Sequence, residues 1–118
     1  MSLSRNKAIV RELVEKVYSG DVDKLDDLVT TDYVDHSRWG DRDGLRHVIT
    51  AFKSVYPGID FSVRDILAED DKVAARIRCN CQDHSEESGH AKVIHSIAIF
   101  RLADGKVVEH WGHSDSFF

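Results

Sequence analysis

The most chemically loaded stretch of the chain is VVEHWGHSD, residues 107–115. Read as a β-strand, it puts Val107, Glu109, Trp111, His113 and Asp115 in one row, because alternate side chains share a face. Val108, His110, Gly112 and Ser114 form the opposite row. A solvated row has no use for Trp111, and a plain core row does not tolerate His113 together with Asp115. A pocket wall accommodates all three. An imidazole and a carboxyl in an apolar recess are suited to proton transfer. The row of Trp111, His113 and Asp115 is therefore expected to line a pocket.

The other candidate groups are weaker. Among the seven histidines, His110 and His113 are three apart, so on a strand they face opposite ways and cannot chelate together. His84 and His90 flank an acidic loop, and His95 shares a face with Ile97 and Ile99. No metal site is expected. Cys79 and Cys81 would share a strand face about 6.6 Å apart. A disulfide needs Cβ atoms within about 4 Å. The pair also lacks the two-residue spacer of zinc and redox motifs. Small core or pocket-wall residues in a reducing compartment are the expectation.

The elements that must position these groups are legible from periodicity. SRNKAIVRELVEKVYSG carries Ile9, Val10, Leu13, Val14, Val17 and Tyr18 as one helical stripe, stopped by Gly20. A second short helix follows in DVDKLDDLVT, with Asp21 or Asp23 as its cap. TTDYVDHSRWGDRD reads as a loop around a short extended piece. A third helix, capped by residues 41–43, carries Leu45, Val48, Ile49, Phe52, Val55 and Tyr56 and ends at Pro57-Gly58.

From Ile59 the period changes to two. IDFSVRDILA, KVAARIRCNCQ, AKVIHSIAIFRL and KVVEHWGHSD read as four strands. They are linked by EDD, by DHSEESGH and by the tight-hairpin signal Asp104-Gly105. Short links make sequential antiparallel neighbours. Helices followed by a meander give an α+β fold, with the helices on one face of an antiparallel sheet. The third strand is apolar on both rows, Ile94, Ser96, Ala98 and Phe100 against His95, Ile97, Ile99 and Arg101. Two covered faces predict a second copy of the chain packed on the sheet.

At 118 residues the chain suits one domain, residues 1–118, with an apolar fraction of 42% and a charged fraction of 31%. A formal charge of −5 argues against nucleic acid as partner. There is no apolar run of the roughly 18 residues that would span a membrane. With no secretory signal at the N-terminus, a cytoplasmic location is expected.

The ordered set of Gly20-Asp21, DYVDH (32–36), YPGIDFSV (56–63), DDKVAARI (70–77) and IAIFRLADGKVVEHW with Asp115 (97–115) resembles the nuclear transport factor two-like superfamily. Within it, the chain most resembles the SnoaL-like polyketide cyclases. The resemblance implies a cone: a strongly curved sheet wraps the helices around an apolar cavity. It implies a cofactor-free aldol closure in which a last-strand carboxylate, here Asp115, moves the proton. His113 would orient that carboxylate or bond an enolate oxygen. Trp111, Trp39, Tyr33 and Phe52, with Cys79, Cys81, Ser96 and His84, would line the pocket.

His36 matches the position of the general base in the related steroid isomerases, and an imidazole suits proton transfer near neutrality. The isomerases' oxyanion-hole tyrosine and aspartate match Leu13 and Ala98, so their full mechanism does not carry over. The Arg-x-Asp pair of limonene epoxide hydrolases is missing from all four strands. DHSEESGH is also shorter than the glycine- and proline-rich mouth segment of the cyclases, which argues against a bulky polycyclic substrate. The resulting expectation is a cyclase- or isomerase-type enzyme for a small apolar or carbonyl-bearing substrate. The alternative is a non-catalytic ligand-binding or association module of the same fold.

Overall fold

The computed structural model describes residues 2–37, 39–82 and 91–115. Helix α1, Leu3–Glu12, starts at Ser2, whose hydroxyl accepts a bond from the Arg5 amide at 3.1 Å. It runs on into a π-turn, Leu13–Val17. The predicted stripe is the buried face: Val10, Leu13, Val14 and Val17 have no exposed surface. A 3-10 turn, Val22–Lys24, leads into the short helix α2, Leu25–Leu28. Helix α3, Arg42–Val55, is capped by Asp41, whose carboxylate accepts from the Gly44 amide at 2.8 Å.

The four expected strands are present as β2 (Asp60–Glu69), β3 (Lys72–Gln82), β4 (Ala91–Ala103) and β5 (Lys106–Ser114). They pair antiparallel in sequence order. Asp104 and Gly105 turn the last hairpin with φ of 51° and 80°, the left-handed pair that a tight two-residue turn requires. The element that differs is TTDYVD. It is a full strand, β1 (Val29–Asp35), at the far edge of the sheet, in the order β1-β5-β4-β3-β2. It runs parallel to β5, so the sheet is mixed. A parallel neighbour needs a long crossover. Here that crossover is α3 with β2 to β4, a pairing no local pattern announces.

The inner face of the sheet carries Val63, Val73, Ala75, Ile77, Ala98, Phe100, Leu102 and Val107 against the α1 stripe, Leu25 and Leu45. At the other end Ile59, Cys79, Cys81 and Ile94 form a second buried group with Phe52, Tyr56 and Phe61. The cysteines are thus core, and no disulfide joins them. Burial, with Cys81 alongside, pushes the Cys79 thiol up to about 12. Among the described residues no helix is long and apolar enough to cross a membrane.

One irregularity controls the rest. Leu102 pairs with Val107 and Arg101 with Glu109, so Val108 is an extra residue on β5. Such a bulge turns every later side chain to the other face. Val107 points inward, but after it His110 and Gly112 are the inward residues, opposite Phe100 and Ala98.

Candidate functional site

The row Glu109, Trp111, His113 and Asp115 does share a face, and it is the outer one. Trp111 and His113 sit opposite Ile99 and Ile97. Trp111 stacks on the His36 ring, centroids 5.0 Å apart and planes 11° from parallel. His36 Nε2–H donates to Glu109 Oε2 at 2.7 Å, and Arg101 Nε donates to Glu109 Oε1 at 2.5 Å. Those two bonds hold the Glu109 carboxyl below its ordinary range. Asp115 is exposed and finishes the β4–β5 ladder. Its amide donates to the His95 carbonyl at 3.1 Å, and its carboxylate accepts from the His95 amide at 3.3 Å. It borders an open depression of about 260 Å³ with Arg76, His95 and His113.

A cavity of about 250 Å³ is lined by Tyr18, Ser37, Trp39, Phe61, Ile77, Ser96, Ile97, Ala98, His110, Gly112, His113 and Ser114. Trp39, Ser96 and His113 are therefore the sequence-predicted residues that reach it. Tyr33 is buried behind the wall, Phe52, Cys79 and Cys81 belong to the second core group, and Trp111 is outside. His84 lies outside the described residues. A larger recess of about 480 Å³ lies between the start of α1 and the β4–β5 hairpin, with Arg5, Asn6 and Asp104 on its wall but no histidine.

The buried ionisable pair at the cavity is Asp35 and His110, of which His110 lines the wall, and strand periodicity singles out neither. The parallel register of β1 and β5 sets these two residues side by side. Asp35 is 6% exposed and His110 5%. An ionised carboxylate only accepts, so His110 Nδ1–H donates to Asp35 Oδ2, at 3.0 Å. Tyr33 Oη donates to the same oxygen at 2.9 Å. The Ser37 amide donates to Asp35 Oδ1 at 2.8 Å, and the Ser37 hydroxyl donates to it as well. Burial alone would raise the Asp35 carboxyl. The bond and charge of His110, with the two bonds from Ser37, outweigh that and hold it well below the ordinary carboxylate range.

These bonds fix the imidazole's tautomer and orientation. In the neutral ring, with Nδ1–H committed to Asp35, the other nitrogen, Nε2, carries the lone pair. Gly112 is what makes room for it: a Cβ there would lie 2.9 Å from Cε1 and 3.0 Å from Nε2 of His110. The ring also packs against Phe100, centroids 4.9 Å apart. One signal for this was present in the sequence. His110 and Gly112 share a row, and a histidine followed on its own face by a residue without a side chain has open space beside it. Among the described residues no three His, Cys, Asp or Glu side chains converge as a metal site.

Residues 10–110 match the model of the SnoaL-like domain family. The chain belongs to that family. Its fold matches wild-type IdmH from Streptomyces antibioticus, described as a proposed polyketide cyclase, at 27% identity and a TM-score of 0.81, over 98% of this chain and 93% of that one. A loop-truncated IdmH matches over 93% and 92% of the two chains, with a TM-score of 0.82 and 27% identity. AclR from Streptomyces galilaeus, described as a proposed hydroxylase, matches at 26% identity and a TM-score of 0.83, over 97% and 81%. No curated protein matches the chain.

Proposed function

We propose that this SnoaL-like protein is an acid/base enzyme that moves a proton on a small apolar or carbonyl-bearing substrate, with His110 Nε2 as the base. The observation that carries the reading is the buried Asp35–His110 pair, 3.0 Å apart, with His110 on the wall of the cavity. Asp35 holds the ring and stabilises the imidazolium formed when Nε2 takes a proton. The C–H electrons pass into an enolate, and the imidazolium returns the proton to the product. No cofactor is invoked, in keeping with the SnoaL-like resemblance. A volume of about 250 Å³ falls below the range of about 300–1,000 Å³ usual for drug-sized ligands, which favours a small substrate.

5-Nitrobenzisoxazole tests the base without knowledge of the natural substrate. A base removes the ring proton, the C–H electrons form a nitrile, and the N–O bond breaks to release a coloured phenolate. The wild-type protein should accelerate this elimination, and His110→Asn should lose at least about 100-fold of the rate, the contribution typical of a positioned base. Equal rates in the two proteins contradict the reading and favour a ligand-binding module. We also propose that a second copy covers the outer sheet face, where Leu67, Ile97 and Ile99 are 73%, 61% and 41% exposed. Light scattering should find a dimer that Ile97→Asp converts to monomer; a monomeric wild type contradicts it.

A further inference from the structure

Tyr18 is the buried polar group that the Asp35–His110 pair does not use. It is 7% exposed, it lines the cavity, and its hydroxyl has no hydrogen-bond partner among the described residues. A buried phenol normally finds one, because leaving it unpaired costs about 1–3 kcal/mol. Its ring packs edge-on against Trp39 and Phe61, at centroid distances of 6.4 and 5.6 Å.

The backbone beneath it is also unusual. The π-turn Leu13–Val17 ends with the Tyr18 amide donating to the Leu13 carbonyl at 3.0 Å, and the Asp21 amide donates to the Lys16 carbonyl at 3.1 Å. One extra residue in a turn rotates every later side chain by roughly 100° relative to a continued α-helix. The sheet locks that rotation in place. Glu15 accepts from the Val63 amide at 3.0 Å, and the Ser19 hydroxyl accepts from the Phe61 amide at 2.9 Å. Tyr18 thus reaches the cavity at the end of the π-turn that follows α1, which the sheet holds through Glu15 and Ser19.

We infer that the Tyr18 hydroxyl is the hydrogen-bond donor for a substrate oxygen, the carbonyl that gains negative charge as His110 removes the proton. The inference rests on the proposed acid/base reading and adds the group that recognises the oxygen. Burial and the nearby Asp35 charge push the phenol above its ordinary value, so it stays protonated and serves as a donor. Donors aimed at developing charge in a dry cavity contribute strongly to catalysis.

Binding separates this inference from the reading it builds on. The affinities of the wild-type protein for 4-nitrophenolate and for the uncharged isostere 4-nitrotoluene give a ratio that reports a donor at the oxygen. Tyr18→Phe, which keeps the ring, should reduce that ratio by roughly tenfold or more, as expected for a bond to a charged group. 3-Fluorotyrosine at position 18, a stronger donor of nearly the same shape, should raise it. Ratios that do not respond to either replacement overturn the inference, as does a wild type that binds neither compound. The elimination rate of His110→Asn tests the base independently of both ratios.

Discussion

Two histidine–carboxylate pairs stand on opposite faces of the β1–β5 edge, and the shorter contact is in the less consequential one. His36 and Glu109 meet at 2.7 Å with side chains 41% and 22% exposed. His110 and Asp35 meet at 3.0 Å with side chains 7% and 0% exposed. Water and salt screen the outer pair, while the inner pair has no such competition. The inner carboxylate also has four donors, from His110, Tyr33 and twice from Ser37. Distance alone would rank the pairs wrongly; burial and the satisfaction of both carboxylate oxygens decide which ring is held in one orientation.

The largest expected effect follows from Asp35→Asn. Breaking a buried, fully bonded pair should cost about 3–5 kcal/mol, read by denaturant unfolding, and the elimination rate should fall with the loss of ring alignment. The same variant tests the acid limb. Because the folded carboxyl lies below its ordinary value, Asp35 stabilises the protein above about pH 4 and that contribution is lost as pH falls further. The variant should lose part of this acid sensitivity; an unchanged acid limb would show that another carboxylate governs it.

Gly112→Ala should come next. Its Cβ meets the His110 ring at 2.9 Å, so the ring or the strand must shift, at about 1–3 kcal/mol. Elimination should slow more than stability suggests, since Nε2 moves; an unaltered rate would mean that the ring's position is unimportant. His36→Ala should do least, with melting shifted by no more than about 3 °C and elimination unchanged. A large loss of rate there would make the outer pair the working one and invert the comparison.

The contrast also explains what the sequence made legible. Helix stripes and the four antiparallel strands are local patterns, so Val10 to Tyr18 and the strands from Asp60 onward appear where periodicity puts them. The site depends on two non-local facts. Asp35 meets His110 only because β1 returns parallel to β5 across the crossover formed by α3 and β2 to β4. His110 faces inward only because Val108 is an extra residue, and a single bulge exchanges the two rows. Of the row expected to be a pocket wall, His113 lines the cavity, while Trp111 stacks on His36 and Asp115 borders the open depression with Arg76 and His95. His110, in the row of Val108 and Gly112, is the buried histidine on the cavity wall, and His113 of the other row also lines the cavity.

The tautomer of His110 is the sharpest discriminator, read from long-range proton–nitrogen NMR correlations in the uncharged ring. The buried pair predicts a proton on Nδ1, bonded to Asp35, and an unprotonated Nε2 whose signal moves when 4-nitrophenol enters the cavity. A proton on Nε2, or an Nε2 signal indifferent to the ligand, would contradict His110 as the base.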